Sequence, residues 1–259
     1  MLATNIYSLT ITHFVLFIVT FLVTYTISVY YGHVYPIWPY ISDTGVKVPE
    51  SCIMSQLFTI GSVLSKHLII YVYILAVGII YCRYLVIKHT SEIYSLSPLV
   101  NRLNNASLWI GFLVALGISL LSNFPRKAHW KIHFLGVAMA FGLGNVYEII
   151  QIILSIYVYP KIGSKLIIGT RIAITSAFNA CIICSATCGR ISMKQFNGAD
   201  ILQWLPEHAG FTLHIISSIT GWTSAILAMM FLLTYTFEFK DIVIYESIFE
   251  MSEEVTDDH

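Results

Sequence analysis

Charge is what this sequence has least of: 11% of its 259 residues are Asp, Glu, Lys or Arg, where a soluble domain carries about 25%. With 57% hydrophobic residues and a mean hydropathy of +0.76, the chain holds far more apolar surface than a water-soluble fold hides. It reads as a membrane protein. The 14 basic and 14 acidic side chains cancel, so no net field draws in nucleic acid, and none is expected as a partner. The five cysteines form no disulfide framework: Cys52 stands in a polar loop, whereas Cys181, Cys184 and Cys188 share one apolar stretch. A phosphate-cradling glycine loop, a Gly-x-Ser-x-Gly elbow and a Cys/His nucleophile arrangement are all missing. We therefore expect no catalytic residues, no cofactor and no metal. The N-terminus lacks a basic region and a small-residue cleavage site, so the apolar run from Ile11 reads as a retained span rather than a signal peptide.

What is present is apolar length. A helix needs about 20 apolar residues to cross a hydrocarbon core. Six stretches meet that need, at about 11–31, 67–87, 103–123, 133–156, 168–189 and 209–236. The expected fold is all-α: a polytopic six-transmembrane-helix bundle over residues 1–236, followed by an acidic tail at 237–259. An even number of spans places both termini on one side. The second span is unusual, because apolar character runs from Ile53 to Ile87 with Lys66-His67 in its middle. About 35 helical residues would overshoot the bilayer by roughly 20 Å. We read residues 53–65 as a helical extension outside the membrane, the alternative being a long tilted helix from which Lys66 snorkels. Lys and Arg are distributed too evenly to orient the bundle, with Arg83 and Arg171 counted on the termini's side and Arg126, Arg190 and Lys194 opposite. One glycosylation sequon, Asn105-Ala106-Ser107, falls at the mouth of the third span.

The longest polar interruption runs from His33 to Cys52. Pro36, Pro39 and Pro49 stop helix on both sides of it. Asp43-Thr44-Gly45 reads as a turn, Asp43 bonding the backbone ahead and Gly45 taking a positive φ.

Pro39-Tyr-Ile-Ser-Asp-Thr-Gly45 followed by Pro49-Glu-Ser resembles the first-loop signature of the damage-regulated autophagy modulator (DRAM) family. That family sits in a wider six-span group that includes GPI-anchor lipid remodelling factors. The resemblance continues through Gly117-Ile-Ser-Leu-Leu-Ser-Asn-Phe124, through Tyr147-Glu-Ile-Ile-Gln151, and through His214, Trp222 and Leu233-Thr-Tyr. Gly221 and Pro125 depart from it, standing where the family usually has Glu and Gln. On this resemblance Pro39, Tyr40, Ser42, Asp43, Thr44, Gly45, Pro49 and Glu50 form the signature loop, on the lumenal side. It implies a lysosomal or endosomal multi-pass protein that promotes autophagy, with both termini cytosolic. Tyr245-Glu-Ser-Ile248 in the tail has the Tyr-x-x-apolar form read by clathrin adaptors; Tyr245 and Ile248 are the expected contacts.

Polar residues inside the spans are the next candidates. Glu148 lies well within the fourth span, where a lone carboxylate costs about 2.5–3.5 kcal/mol or more. Asn145, Glu148 and Gln151 recur every three residues with Tyr147 beside them, giving that helix a polar face. Arg171, near the start of the fifth span, is expected at a similar depth. The readings are a structural ion pair or hydrogen-bond lattice, a lipid-headgroup or proton pathway, and a neutral buried Glu. His133 and His214 join His33, Asp43 and Glu50 near the opposite face, as a pH-sensitive cap or as ordinary interfacial residues. His129 and His133 have metal-ligand spacing without a third ligand. Gly136, Ala140 and Gly144 form a small-xxx-small stripe, which lets a helix of this chain or of a second copy approach closely. Membrane lipids are the expected partners. The function expected is a non-catalytic autophagy modulator; the alternatives are a lipid-handling or GPI-anchor remodelling factor and a small-solute or proton transporter using Glu148.

Overall fold

The computed structural model describes residues 4–5, 7–59, 72–127, 129–240 and 243–244. Helix α1 (Tyr7–Tyr30) ends where Gly32 takes a φ of +65° and Pro36 follows. A 3₁₀ turn spans Ile41–Gly45, and α2 covers Glu50–Thr59. Then come α3 (Val72–Ile93) and α4 (Pro98–Asn123), the latter opened by Pro98 at its first position and by Ser97, whose hydroxyl accepts from the Leu99 N–H. Next, α5 (Trp130–Val137) runs through a π-helical turn at Ala138–Leu143 into α6 (Gly144–Val158). Helix α7 (Lys165–Gln195) is capped by the Ser164 hydroxyl. Last are α8 (Phe211–Leu233) and a short α9 (Thr236–Phe239). Two-residue strands, β1 (Thr4–Asn5) and β2 (Val243–Ile244), pair antiparallel. They are a small exception to an all-α expectation, and they bring the chain's two ends together.

Loop contacts define the ends of the bundle. At one end, which we call the loop end, the Tyr35 N–H donates to Leu202 O at 3.2 Å and Gln203 Nε2 to Gly32 O at 2.9 Å. Arg126 and Lys127 reach Asp43 and Asp200 there. At the opposite end Lys161 lies over the Tyr94 ring, beside Gly163, Glu238 and the strand pair. Among the described residues five helical runs are long and apolar enough to cross a membrane: α1, α4, α5–α6, α7 and α8–α9. These overlap the expected spans 11–31, 103–123, 133–156, 168–189 and 209–236, extending beyond them except where α1 ends at Tyr30, α4 ends at Asn123 and α8 begins at Phe211. The remaining expected span, 67–87, lies partly outside the described residues, and its described helix runs on to Ile93. Within the proposed extension 53–65, α2 is helical to Thr59, with Met54 packed on Phe17 and Phe21 of α1; residues 60–65 lie outside the described set.

Four sequence expectations change. Gly45 is in the right-handed 3₁₀ turn and has no positive φ; its small size is what matters, because a Cβ there would strike Met54 Sδ. Asp43 turns its carboxylate to Arg126 rather than to the backbone ahead. The sequon is helical, within α4: Asn105 and Ala106 are exposed, while Ser107 is buried and accepts a hydrogen bond from Gln151. The acidic tail begins later than residue 237, since Glu238 and Phe239 are helical and buried.

Helices α7 and α8 pack along their length, and α4 packs on α3 and on α5–α6. Backbones approach closely where α4 meets α5 and the π-helical turn: a Cβ on Gly117 would sit 2.5 Å from Met139 Cβ and 2.7 Å from Ala140 N, and one on Gly136 would sit 2.7 Å from Leu121 N. The small-residue stripe thus seats a helix of the same chain. Replacing Gly117 with Val is expected to destabilise the protein by about 1–3 kcal/mol through overpacking. Gly169→Ala, where nothing lies within 4 Å of the added Cβ, is expected to be neutral or to stabilise by up to about 1 kcal/mol. Thermal unfolding of both variants in detergent checks the contrast.

Candidate functional site

Three buried ionic side chains meet near the end of the bundle that carries the β1–β2 pair. Arg83 comes from α3, Arg171 from α7 and Glu238 from α9. Arg83 donates from Nη1 to Glu238 Oε2 at 2.6 Å, from Nη2 to Ser155 Oγ at 3.1 Å and from Nε to Gln151 Oε1 at 3.1 Å. Arg171 donates from Nη2 to the same Glu238 oxygen at 2.8 Å, from Nη1 to Glu238 Oε1 and Ser155 Oγ, and from Nε to Thr234 Oγ1 at 2.8 Å. Both arginines are 0% exposed. One carboxylate between two guanidiniums leaves an excess positive charge, and the Tyr235 ring receives it, 5.0 Å from Arg83 and 4.7 Å from Arg171. Tyr235 in turn donates its hydroxyl to Tyr147 at 3.3 Å.

Above this network the polar face of α6 turns to its neighbours. Gln151 Nε2 donates to Ser107 of α4 at 3.0 Å. Glu148, 4% exposed, accepts from Thr175 Oγ1 of α7 at 2.7 Å. Asn145 and Asn179 exchange two amide bonds at 2.8 and 3.0 Å. These are the contacts of a hydrogen-bond lattice. Arg171 is not the neighbour of Glu148: it lies level with Ser155, two helical turns away, and its carboxylate partner is Glu238. The shared depth expected of Arg171 and Glu148 is therefore corrected.

Beyond Asn145 the helices part. Helices α5 and α7 share no packed interface, and the space between α4–α5 and α7–α8 is a cavity of about 1060 Å³. Phe17, Ala115, Phe141, Phe178, Trp222 and Met229 are among its mainly apolar walls, Glu148 and Tyr147 lie at its deep end, and Tyr40, Ser42, Arg126 and His133 line it at the loop end. The π-helical turn borders it through Ala138 and Phe141; such wide turns are frequent at functional sites.

The signature loop closes the loop end. Pro39 O accepts from Ser218 Oγ at 2.7 Å and from Trp222 Nε1 at 2.9 Å, while the Tyr40 hydroxyl donates to Ser217 Oγ at 3.1 Å. Asp43 accepts from Arg126 Nη2 through both oxygens, at 3.0 and 3.2 Å. Thr44 Oγ1 donates to Ile41 O. Pro49 O accepts the Ile53 N–H and so seats the start of α2. Glu50, 0% exposed, meets His33 Nδ1 at 2.6 Å. His214 stacks on Trp204 at 4.3 Å and meets the Tyr40 ring edge-on at 4.6 Å. His133 is buried and its Nδ1 bonds Phe124 O at 3.0 Å, whereas His129 is exposed. Among the described residues no three His, Cys, Asp or Glu side chains converge as metal ligands.

The structure thus gathers the signature loop, His133 and His214 at one end, and Asn145, Tyr147, Glu148, Gln151 and Arg171 along one polar column. Sequence reasoning does not single out Arg83 and Glu238 as site residues. Arg83 carries a signal, a cation in an apolar run, that also fits a charge at a span's edge; Glu238 has the local setting of an acidic tail. Tyr245 and Ile248 lie outside the described residues.

Comparison with known proteins follows the same span. The profile of the Frag1/DRAM/Sfk1/Cwh43P N-terminal domain matches residues 5–242. DNA damage-regulated autophagy modulator protein 2 of Rattus norvegicus is 33% identical over 231 residues, covering 87% of this chain and 80% of the relative. DNA damage-regulated autophagy modulator protein 1 of Homo sapiens is 28% identical over 226 residues, 86% and 87% of the two chains. The modulator of macroautophagy TMEM150B-B of Xenopus laevis is 30% identical over 185 residues, 71% of each chain. No solved structure matches.

Two measurements separate these polar groups. Glu238→Gln leaves two buried guanidiniums without their carboxylate and is expected to cost about 3–5 kcal/mol, seen as loss of folded protein in detergent. Glu148→Gln keeps an acceptor for Thr175 and is expected to cost about 1 kcal/mol or less. For Asp43, burial raises the carboxyl above its ordinary value even though Arg126 pulls it down. The folded protein then binds this proton more readily than the unfolded chain, so stability from this site grows as pH falls through the folded-state value and levels off below the unfolded one. Wild type is expected to gain thermal stability relative to Asp43→Asn on acidification; a constant difference from neutral to acid pH would contradict the burial of this charge.

Proposed function

The chain belongs to the Frag1/DRAM/Sfk1/Cwh43P family, and on that premise we propose that it is a non-catalytic membrane protein of lysosomes or endosomes that promotes autophagy. The likeness to relatives named as autophagy modulators over more than four fifths of the chain carries the reading. The proposed topology is six membrane crossings with both termini in the cytosol, the second crossing made by α3. Pairing of Thr4–Asn5 with Val243–Ile244 supports an even number, since five crossings would separate the chain ends. Arg83 does not oppose a crossing by α3, because it is buried inside the bundle and bonded to Glu238, Gln151 and Ser155 there.

The proposed address rests on Tyr245-Glu-Ser-Ile248 as an adaptor-binding peptide. Membrane lipids and a clathrin adaptor are its proposed partners. The proposal assigns no catalytic step, and the bonds from Asn145, Glu148 and Gln151 to neighbouring helices support a structural use of that polar face.

Restoring the chain to cells deleted for it is expected to raise autophagic flux, measured as the lysosome-dependent turnover of a lipidated autophagosome marker. Unchanged flux in cells where the protein reaches its membrane would refute the reading. Tyr245→Ala is expected to shift the protein from lysosomes to the cell surface; unchanged lysosomal residence would remove the tail peptide from the account.

A further inference from the structure

The cavity between α4–α5 and α7–α8 has three properties that together specify a ligand. It is large and apolar, about 1060 Å³, at the upper end of the roughly 300–1,000 Å³ of small-molecule sites. From His133 to Tyr147 it follows 14 helical residues, a depth of about 20 Å. Along one flank α5 and α7 do not pack closely, and Phe134, Ile183 and Met193 beside this gap are apolar and exposed, as on a face that a membrane would surround. Phe134 and Ala138 stand on one side of the gap and Ile182, Ala186 and Met193 on the other.

Its cations are confined to one end. At the loop end Arg126, Arg190 and Lys194 line the cavity; Glu148, at the deep end, is the one carboxylate among its lining residues. Arg190 and Lys194 lie one turn apart on α7 and, among the described residues, neither forms an ion pair. Arg126 gives Nη2 to Asp43, yet its Nε is buried with no hydrogen-bond partner. Interfacial snorkelling explains two exposed cations on the last turns of α7. It does not explain a buried, unfilled guanidinium donor at the mouth of a deep apolar space.

We propose that this cavity holds an acyl chain of an anionic phospholipid, which enters laterally between α5 and α7 and places its phosphate against Arg126, Arg190 and Lys194. The apolar walls take the chain, the three cations select the headgroup, and the free Arg126 Nε donates to a phosphate oxygen. Trp222 and Phe178 flank the chain. The inference concerns binding alone and stands whether or not the protein promotes autophagy.

The test uses the full chain in detergent micelles with phosphatidic acid and phosphatidylcholine of identical acyl chains, read by native mass spectrometry. Wild type is expected to bind phosphatidic acid about tenfold more tightly. The Arg190→Gln/Lys194→Gln variant is expected to lose that preference, and Ala186→Phe, which narrows the gap, to bind both lipids weakly. A diazirine on the distal acyl chain is expected to label Phe178, Ile182 or Trp222 in wild type. Equal binding of the two lipids would overturn the proposal, as would labelling confined to outward-facing residues such as Leu135 and Ile183. Displacement of phosphatidic acid by inorganic phosphate alone would instead assign a soluble-anion site and overturn the acyl-chain assignment. Size-exclusion profiles identify a misfolded variant, in which case the wild-type preference and labelling decide.

Discussion

The pairing of two buried guanidiniums with one buried carboxylate is the constraint on which the rest of the bundle depends. Isolated, each of these charges would cost several kcal/mol in a low-dielectric interior. Arg83, Arg171 and Glu238 reduce that cost only because α3, α7 and α9 hold them within hydrogen-bonding distance while Ser155, Gln151 and Thr234 fill the remaining donors. The geometry therefore fixes where three separate parts of the chain sit relative to α6. Apolar packing alone would not do this, because between helices in a lipid environment one apolar face replaces another with little gain.

Fixing the bundle at this end leaves it free to open at the other. The ladder of bonds on α6 runs from Ser155 to Asn145 and stops there; past that point α5 leans on α4 through Gly117 and Gly136, away from α7. The π-helical turn lies where packing on α7 ends while packing on α4 continues. A helix held to α4 along its length but to α7 only in its lower half leaves a space between α5 and α7, and the cavity opens into that space. Its roof is the signature loop, held by Ser218 and Trp222 of α8 and by Arg126 after α4. The loop thus spans the two sides of the opening.

Much of this was legible in the sequence. Prolines marked the loop, apolar runs of sufficient length marked five of the spans, and the three-residue recurrence of Asn145, Glu148 and Gln151 marked the polar face. What could not be read was pairing across long separations. Glu238 lies 67 residues from Arg171 and 155 from Arg83, so its role depends on the helix order rather than on any local pattern. A carboxylate followed by an acidic tail has the same local signature whether it is solvated or buried. Gly45 shows the same limit in small: a glycine in an Asp-Thr-Gly turn signals a positive φ, but here its job is to make room for Met54, a neighbour that only the docking of α2 supplies.

The network and the cavity are also linked to each other. Tyr147 lines the cavity floor and accepts the hydroxyl of Tyr235, whose ring lies against both guanidiniums. Phe231, which packs on Arg171 from one turn earlier on α8, lines the same floor. A ligand pressing on Tyr147 or Phe231 would act on groups that touch the charged centre near the chain termini. That is a contiguous physical route from the loop-end cavity to the opposite end of the bundle, through two side chains and without crossing solvent.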